Sequence, residues 1–92
     1  MDNNHFTVYL SNCGNIDLGQ NPRKPIPFTK CYWVVRETLK ECADACQQYI
    51  AENDLGGGNW NGGQVYNERE EKVACISYNG RIWEKGSEYF KN

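Results

Sequence analysis

Residues 38–53, TLKECADACQQYIAEN, decide the fold. Thr38 and Glu41 make the S/T-x-x-E pattern of a capping box: the threonine hydroxyl takes the N3 amide and the glutamate reaches back to the cap amide. Behind it Leu39, Cys42, Ala43, Cys46, Tyr49 and Ile50 recur at helical spacing, on one face. Lys40, Glu41, Asp44, Gln47, Gln48 and Glu52 take the opposite face, and Gly56 follows as a stop signal. This predicts a single amphipathic helix over about 39–53. Its apolar stripe needs a surface to bury against, and a sheet is the only candidate in the rest of the chain.

Strand signals lie on both sides of the helix. His5 to Leu10 alternates, with Phe6, Val8 and Leu10 pointing one way. Lys30 to Arg36 is rich in aromatic and β-branched residues on both faces, which predicts a central strand. Between them, Asp17 to Pro27 holds Pro22, Pro25 and Pro27 and reads as a long semi-rigid loop. After the helix, Leu55 to Gly63 is a glycine- and asparagine-rich loop around Trp60. Gln64–Tyr66, Lys72–Tyr78 and Arg81–Glu84 read as three more strands, with a polar turn at Asn67–Glu71. Asn79-Gly80 is a two-residue hairpin signal. It sets Tyr78 opposite Arg81 and Ile76 opposite Trp83, so that Ala74, Ile76, Tyr78, Arg81 and Trp83 share a face. Tyr89-Phe90 is expected to dock as a short tail. The sum is an α+β fold: a two-layer, mostly antiparallel sheet of four to five strands (β-β-α-β-β-β), with one amphipathic helix on one face. Residues 1–92 form a single small domain.

Composition narrows the function. Ten basic and twelve acidic residues leave a net charge of −2, which excludes a globally basic nucleic-acid binder. Leu, Ile, Val and Phe make up 17 of 92 residues, so the three Trp and six Tyr must supply much of the apolar area. Most sheet rings (Tyr9, Tyr32, Tyr66, Tyr78, Trp83) are therefore expected in the core, although near Arg36 and Arg81 they could form a stacking platform. No apolar window is long enough to span a membrane, and the polar start after Met1 lacks a secretory pattern. A cytosolic location is expected. Cys13, Cys31, Cys42, Cys46 and Cys75 are odd in number and lack zinc-site spacing, so they read as small buried hydrophobes.

No catalytic constellation stands out. The one histidine, His5, is near the N-terminus, and the carboxylates fall on solvated faces. Gly56–Gly63 follows a helix instead of opening one and lacks a G-K-[ST] ending, so it is not a phosphate loop. The reading is a binding protein, not an enzyme, with no metal and no cofactor. Candidate binding residues are Trp60 and Asn59, an indole and an amide in the glycine loop, the adjacent Arg23 and Lys24 in the proline loop, and Arg81.

The capped helix from Thr38, the string Asn53-Asp54-Leu55-Gly56-Gly57-Gly58-Asn59-Trp60, then Gly62-Gly63-Gln64-Val65-Tyr66 and Ile76-Ser77-Tyr78-Asn79-Gly80-Arg81-Ile82-Trp83 resemble phage-encoded anti-CRISPR proteins directed at the type I-F (Csy) surveillance complex. The resemblance implies a non-enzymatic inhibitor in the host bacterial cytoplasm. It would bind Cas protein subunits, with contact to the guide crRNA, and block target-DNA hybridisation. Nothing in the sequence calls for a dimer, so a monomer is expected when free, with no small-molecule ligand. Acidic groups at Glu41, Asp44, Glu52 and Glu68–Glu71 would meet basic Cas residues, and Arg23, Lys24 and Arg81 would meet guide phosphates. The rival reading is a small phage or plasmid protein that binds single-stranded nucleic acid directly through its sheet face.

Overall fold

Thr38 caps the helix as its sequence requires. In the computed structural model, which describes residues 5–84, Thr38 Oγ1 accepts from the Glu41 amide (3.0 Å) and Glu41 Oε1 accepts from the Thr38 amide (3.2 Å). Five strands and one helix follow in order: β1 (Phe6–Leu10), β2 (Tyr32–Arg36), α1 (Leu39–Glu52), β3 (Gly63–Tyr66), β4 (Lys72–Ile76) and β5 (Ile82–Glu84). Single 3-10 turns lie at Ile16–Leu18 and Gly57–Asn59.

The sheet order is β2-β1-β3-β4-β5 and every neighbouring pair is antiparallel. Strands β2 and β3 flank β1 and run in the same direction. Two such strands cannot be joined by a hairpin, and α1 makes the crossover. The helix thereby lies across one sheet face, which is the expected two-layer α+β fold.

The core is the layer between them. Val8, Leu10, Val65, Ala74 and Ile76 of the sheet meet Cys42, Cys46, Tyr49 and Ile50 of the helix, with Leu55 closing the end. Gly63 sets the closeness of the two layers. A Cβ there would lie 2.6 Å from Cys46 Sγ and 3.2 Å from Val8 Cγ2, so a methyl group has no room. Burial pushes the Cys46 thiol up to about 12 and Cys42 up to about 11, the latter partly offset by the nearby Arg36 charge. Both are protonated at neutral pH and act as packing groups. All five cysteines are free, and Cys13, Cys31 and Cys75 are half-buried.

A buried asparagine ties the proline loop to this core. Asn12 Nδ2 donates to Tyr49 Oη (2.9 Å) and Thr29 Oγ1 (3.0 Å), while its Oδ1 accepts from the Ile26 amide (2.7 Å). Tyr49 Oη donates onward to Lys30 O (2.6 Å). The loop from 11 to 31 is thus anchored at its middle and at its end.

Two expectations are corrected. Strand β2 is an edge strand, not a central one: it pairs only with β1, and Tyr32, Trp33 and Val35 are exposed. Apolar residues on both faces reflect a core on one side and an open aromatic surface on the other. The 77–81 hairpin is one residue longer than expected, so Ile76 pairs with Ile82, and Trp83 pairs with Cys75. A one-residue change of register moves every side chain to the other face. Ile82 therefore points toward the helix layer with Ala74 and Ile76, while Tyr78 and Arg81 belong to the turn. The expected docking of Tyr89-Phe90 lies outside the described residues.

Candidate interaction face

Strand side chains alternate between faces, so covering one face with α1 leaves the other open. The cross-strand pairs Thr7↔Val35, Tyr9↔Trp33 and Thr7↔Tyr66 lie on the open side. Tyr9 and Trp33 have ring centroids 4.9 Å apart, and Trp33 and Tyr66 meet edge-on at 5.7 Å. Trp33 and Val35 are 55% and 56% exposed. This corrects the expectation that the sheet aromatics fill the core. The core ring is Tyr49, and Tyr9, Trp33 and Tyr66 form a solvent-facing stripe.

Each end of the stripe opens into a cleft of different charge. Beside the 67–71 turn a cleft of about 450 Å³ is walled by Trp33 and Tyr66 and rimmed by Glu68 and Glu70, with His5, Thr7 and Asn67 completing it. At the opposite end a cleft of about 250 Å³ includes Tyr9, Arg23, Lys24 and Asn61. The Tyr9–Trp33 contact joins the two. The face therefore runs from a basic end through aromatic rings to an acidic end.

The acidic rim is held by its turn. Asn67 N–H donates to Glu71 O (2.9 Å), and Glu70 N–H donates to Asn67 O (2.9 Å). Asn67 Oδ1 accepts from the amides of Arg69 (2.8 Å) and Glu71 (2.9 Å), and its Nδ2 donates to Glu71 Oε1 (2.9 Å). Glu70 sits at φ 64°, in the left-handed region. A side chain there costs about 1 kcal/mol relative to glycine.

The sequence-predicted binding residues divide into two groups. Arg23 and Lys24 are exposed and lie together at the basic cleft; the backbone bond from Gly14 N–H to Lys24 O (2.9 Å) fixes their loop. Arg81 is exposed as well, but on the β4–β5 hairpin and outside that cleft. Asn59 and Trp60 are structural, which corrects their reading as an exposed contact pair. Asn59 is 6% exposed and bonds to Cys13 O (2.9 Å), Gln20 Oε1 (3.2 Å) and the Gly56 amide (3.0 Å). The Trp60 indole is half-buried, donates to Ile76 O (2.9 Å) and lies 6.1 Å from the Tyr49 ring. A tryptophan among glycines needs that glycine-rich loop to fold back over the sheet end.

Sequence reasoning missed Trp33 and Val35, and it offered Glu70 only as one of several surface acids, without the aromatic neighbours it has here. No alternation in β2 separates its two faces, because both carry apolar residues. The signal for Glu70 was available in principle, since a three-residue turn wants glycine at that place. Among the described residues no group of three or more His, Cys, Asp or Glu side chains is placed to hold a metal ion. No family model matches the chain, and no curated protein or solved structure matches it significantly.

Proposed function

We propose that this protein is a non-enzymatic phage inhibitor that binds the type I-F crRNA-guided surveillance complex and blocks target-DNA hybridisation. The reading rests on the string resemblance of residues 38–83 to that class. The observation that carries it furthest is the bipolar open face, with Arg23 and Lys24 at one end, the exposed Trp33 between half-buried Tyr9 and Tyr66, and Glu68 and Glu70 at the other. An RNA-guided complex offers matching surface of both signs: guide phosphates and the basic protein channel that holds them. Aromatic rings centred on such a face suit the desolvated middle of an interface.

Size-exclusion co-elution with a purified type I-F complex, followed by target-DNA binding by the mixture, tests it. Stable co-elution with loss of DNA binding is the expected result. Co-elution with DNA binding intact would move the block to nuclease recruitment, and no co-elution would end the proposal.

One observation favours the second reading, direct binding of single-stranded nucleic acid: the exposed Trp33 and the half-buried Tyr9 and Tyr66 share one open sheet face, as a base-stacking platform would. It predicts that the protein alone shifts an oligonucleotide, with affinity falling steeply as salt rises. The carboxylates at one end of the same face weigh against it.

A further inference from the structure

The acidic cleft is more specific than its charge alone. Its walls are two aromatic rings, Trp33 and Tyr66, held edge to face at 5.7 Å. Its rim carries Glu68 and Glu70, and between described residues the ion pair present joins Lys40 to Asp44, on the helix. Glu71, their neighbour, is already engaged by Asn67. Arg69 also lies in the turn but does not line the cleft. Among the described residues no ion pair engages either carboxylate, and the two stand beside the Trp33 and Tyr66 rings, with His5 also in the lining, around a space of about 450 Å³.

From this arrangement we infer that the cleft of Trp33, Tyr66, Glu68 and Glu70 receives an arginine side chain of a protein partner. The shape matches the chemistry of a guanidinium. It is planar and weakly hydrated, stacks on aromatic faces, and donates in a fork to carboxylates. A phosphate or a nucleic-acid backbone would meet repulsion at this end. An ammonium would satisfy the carboxylates but gain less from the flat rings. The backbone of Glu70 fits the same reading, because a glycine would hold that turn at lower cost and would carry no carboxylate. The inference rests on the proposed binding function only for the identity of the partner, a basic Cas surface. The cleft chemistry can be measured without it.

The test is an NMR titration of the full chain with Nα-acetyl-arginine amide, following the Trp33 indole N–H and the Tyr66 ring. Saturating shifts on those two groups are expected, with a dissociation constant on the order of millimolar, as suits a single side chain. The citrulline amide, isosteric but neutral, should shift neither. Glu70→Gln and Glu68→Gln should each weaken the arginine titration roughly two- to fivefold, and Trp33→Leu by a similar factor. Unchanged thermal melts for these exposed positions would keep the loss assigned to the cleft. No shift with arginine, equal shifts with citrulline or lysine amide, or stronger shifts with an oligonucleotide would each overturn the assignment. A second measurement separates it from the wider reading. If the wild type ignores the surveillance complex yet the cleft takes arginine, the function proposal fails and this one stands. If the complex binds wild type and Glu70→Gln equally, and arginine gives no shift, the reverse holds.

Discussion

The two hairpin turns, 67–71 and 77–81, have the same hydrogen-bond frame and opposite uses of it. In both, the first residue's N–H donates to the fifth residue's carbonyl (2.9 Å each), and the fourth residue's N–H donates to the first residue's carbonyl (2.9 Å each). In both, the first residue's side-chain oxygen accepts from the fifth amide: Asn67 Oδ1 from Glu71 (2.9 Å), Ser77 Oγ from Arg81 (3.1 Å). The fourth residue is left-handed in both, Gly80 at φ 84° and Glu70 at φ 64°. The surroundings differ. The 77–81 turn is docked on the helix side, where Gln47 Nε2 donates to Tyr78 O (2.8 Å) and Tyr78 Oη donates to Leu55 O (3.0 Å). A Cβ on Gly80 would lie 3.2 Å from the Gln47 side chain. The 67–71 turn instead presents Glu68, Arg69, Glu70 and Glu71 to solvent. Glycine stands where both backbone and space demand it. Glutamate stands where the backbone would prefer glycine but a carboxylate rims a cleft, and the two extra bonds of Asn67 offset the strain.

Exchanging the fourth residues should break this comparison most sharply. Gly80→Glu is expected to lose about 2 kcal/mol, from left-handed strain plus the displacement of Gln47; an unchanged denaturant midpoint would show that the turn relaxes freely. Asn67→Ala should lose about 1–2 kcal/mol, because the strained turn then keeps only its backbone frame. Glu70→Gly should do the opposite and gain about 1 kcal/mol, while weakening the arginine titration. Loss of stability in that variant would mean the glutamate contributes to the fold. Ser77→Ala should cost least, about 0.5 kcal/mol, since it removes one bond from a turn that glycine already suits.

The same pair of turns shows which parts of the sequence were legible. Helix α1 was readable because its cap, its stripe and its stop agree within the nineteen positions from Thr38 to Gly56, and local agreement of that kind survives tertiary context. The strands were readable as strands for the same reason. What failed was long-range or hung on a single residue. Asn79-Gly80 marks a turn but does not fix whether Gly80 is the third or the fourth residue of it, and that one step decides which way Trp83 points. The apolar run at 31–35 does not say whether its second face meets a helix or solvent, because that depends on which strand becomes its neighbour. Of the binding candidates, Arg23 and Lys24 lie at the open face as exposed charges next to prolines should, whereas the bonds that bury Asn59 span 46 and 39 residues of chain. No local pattern encodes partners that distant. Trp33 became visible as a surface ring, and as a neighbour of the 67–71 acids, only once β1 had brought β2 and β3 to either side of itself.

Gly63 also bears on how this chain can vary. Its missing methyl is the space that Cys46, Val8 and Trp60 share. Sequences that descend with this fold should keep glycine at position 63, while the residues at 8, 46 and 60 drift together in volume, one growing only as another shrinks. The aromatic stripe on the far side of the same strands lies outside that coupling, so Trp33 and Tyr66 are free to follow whatever partner the face must meet.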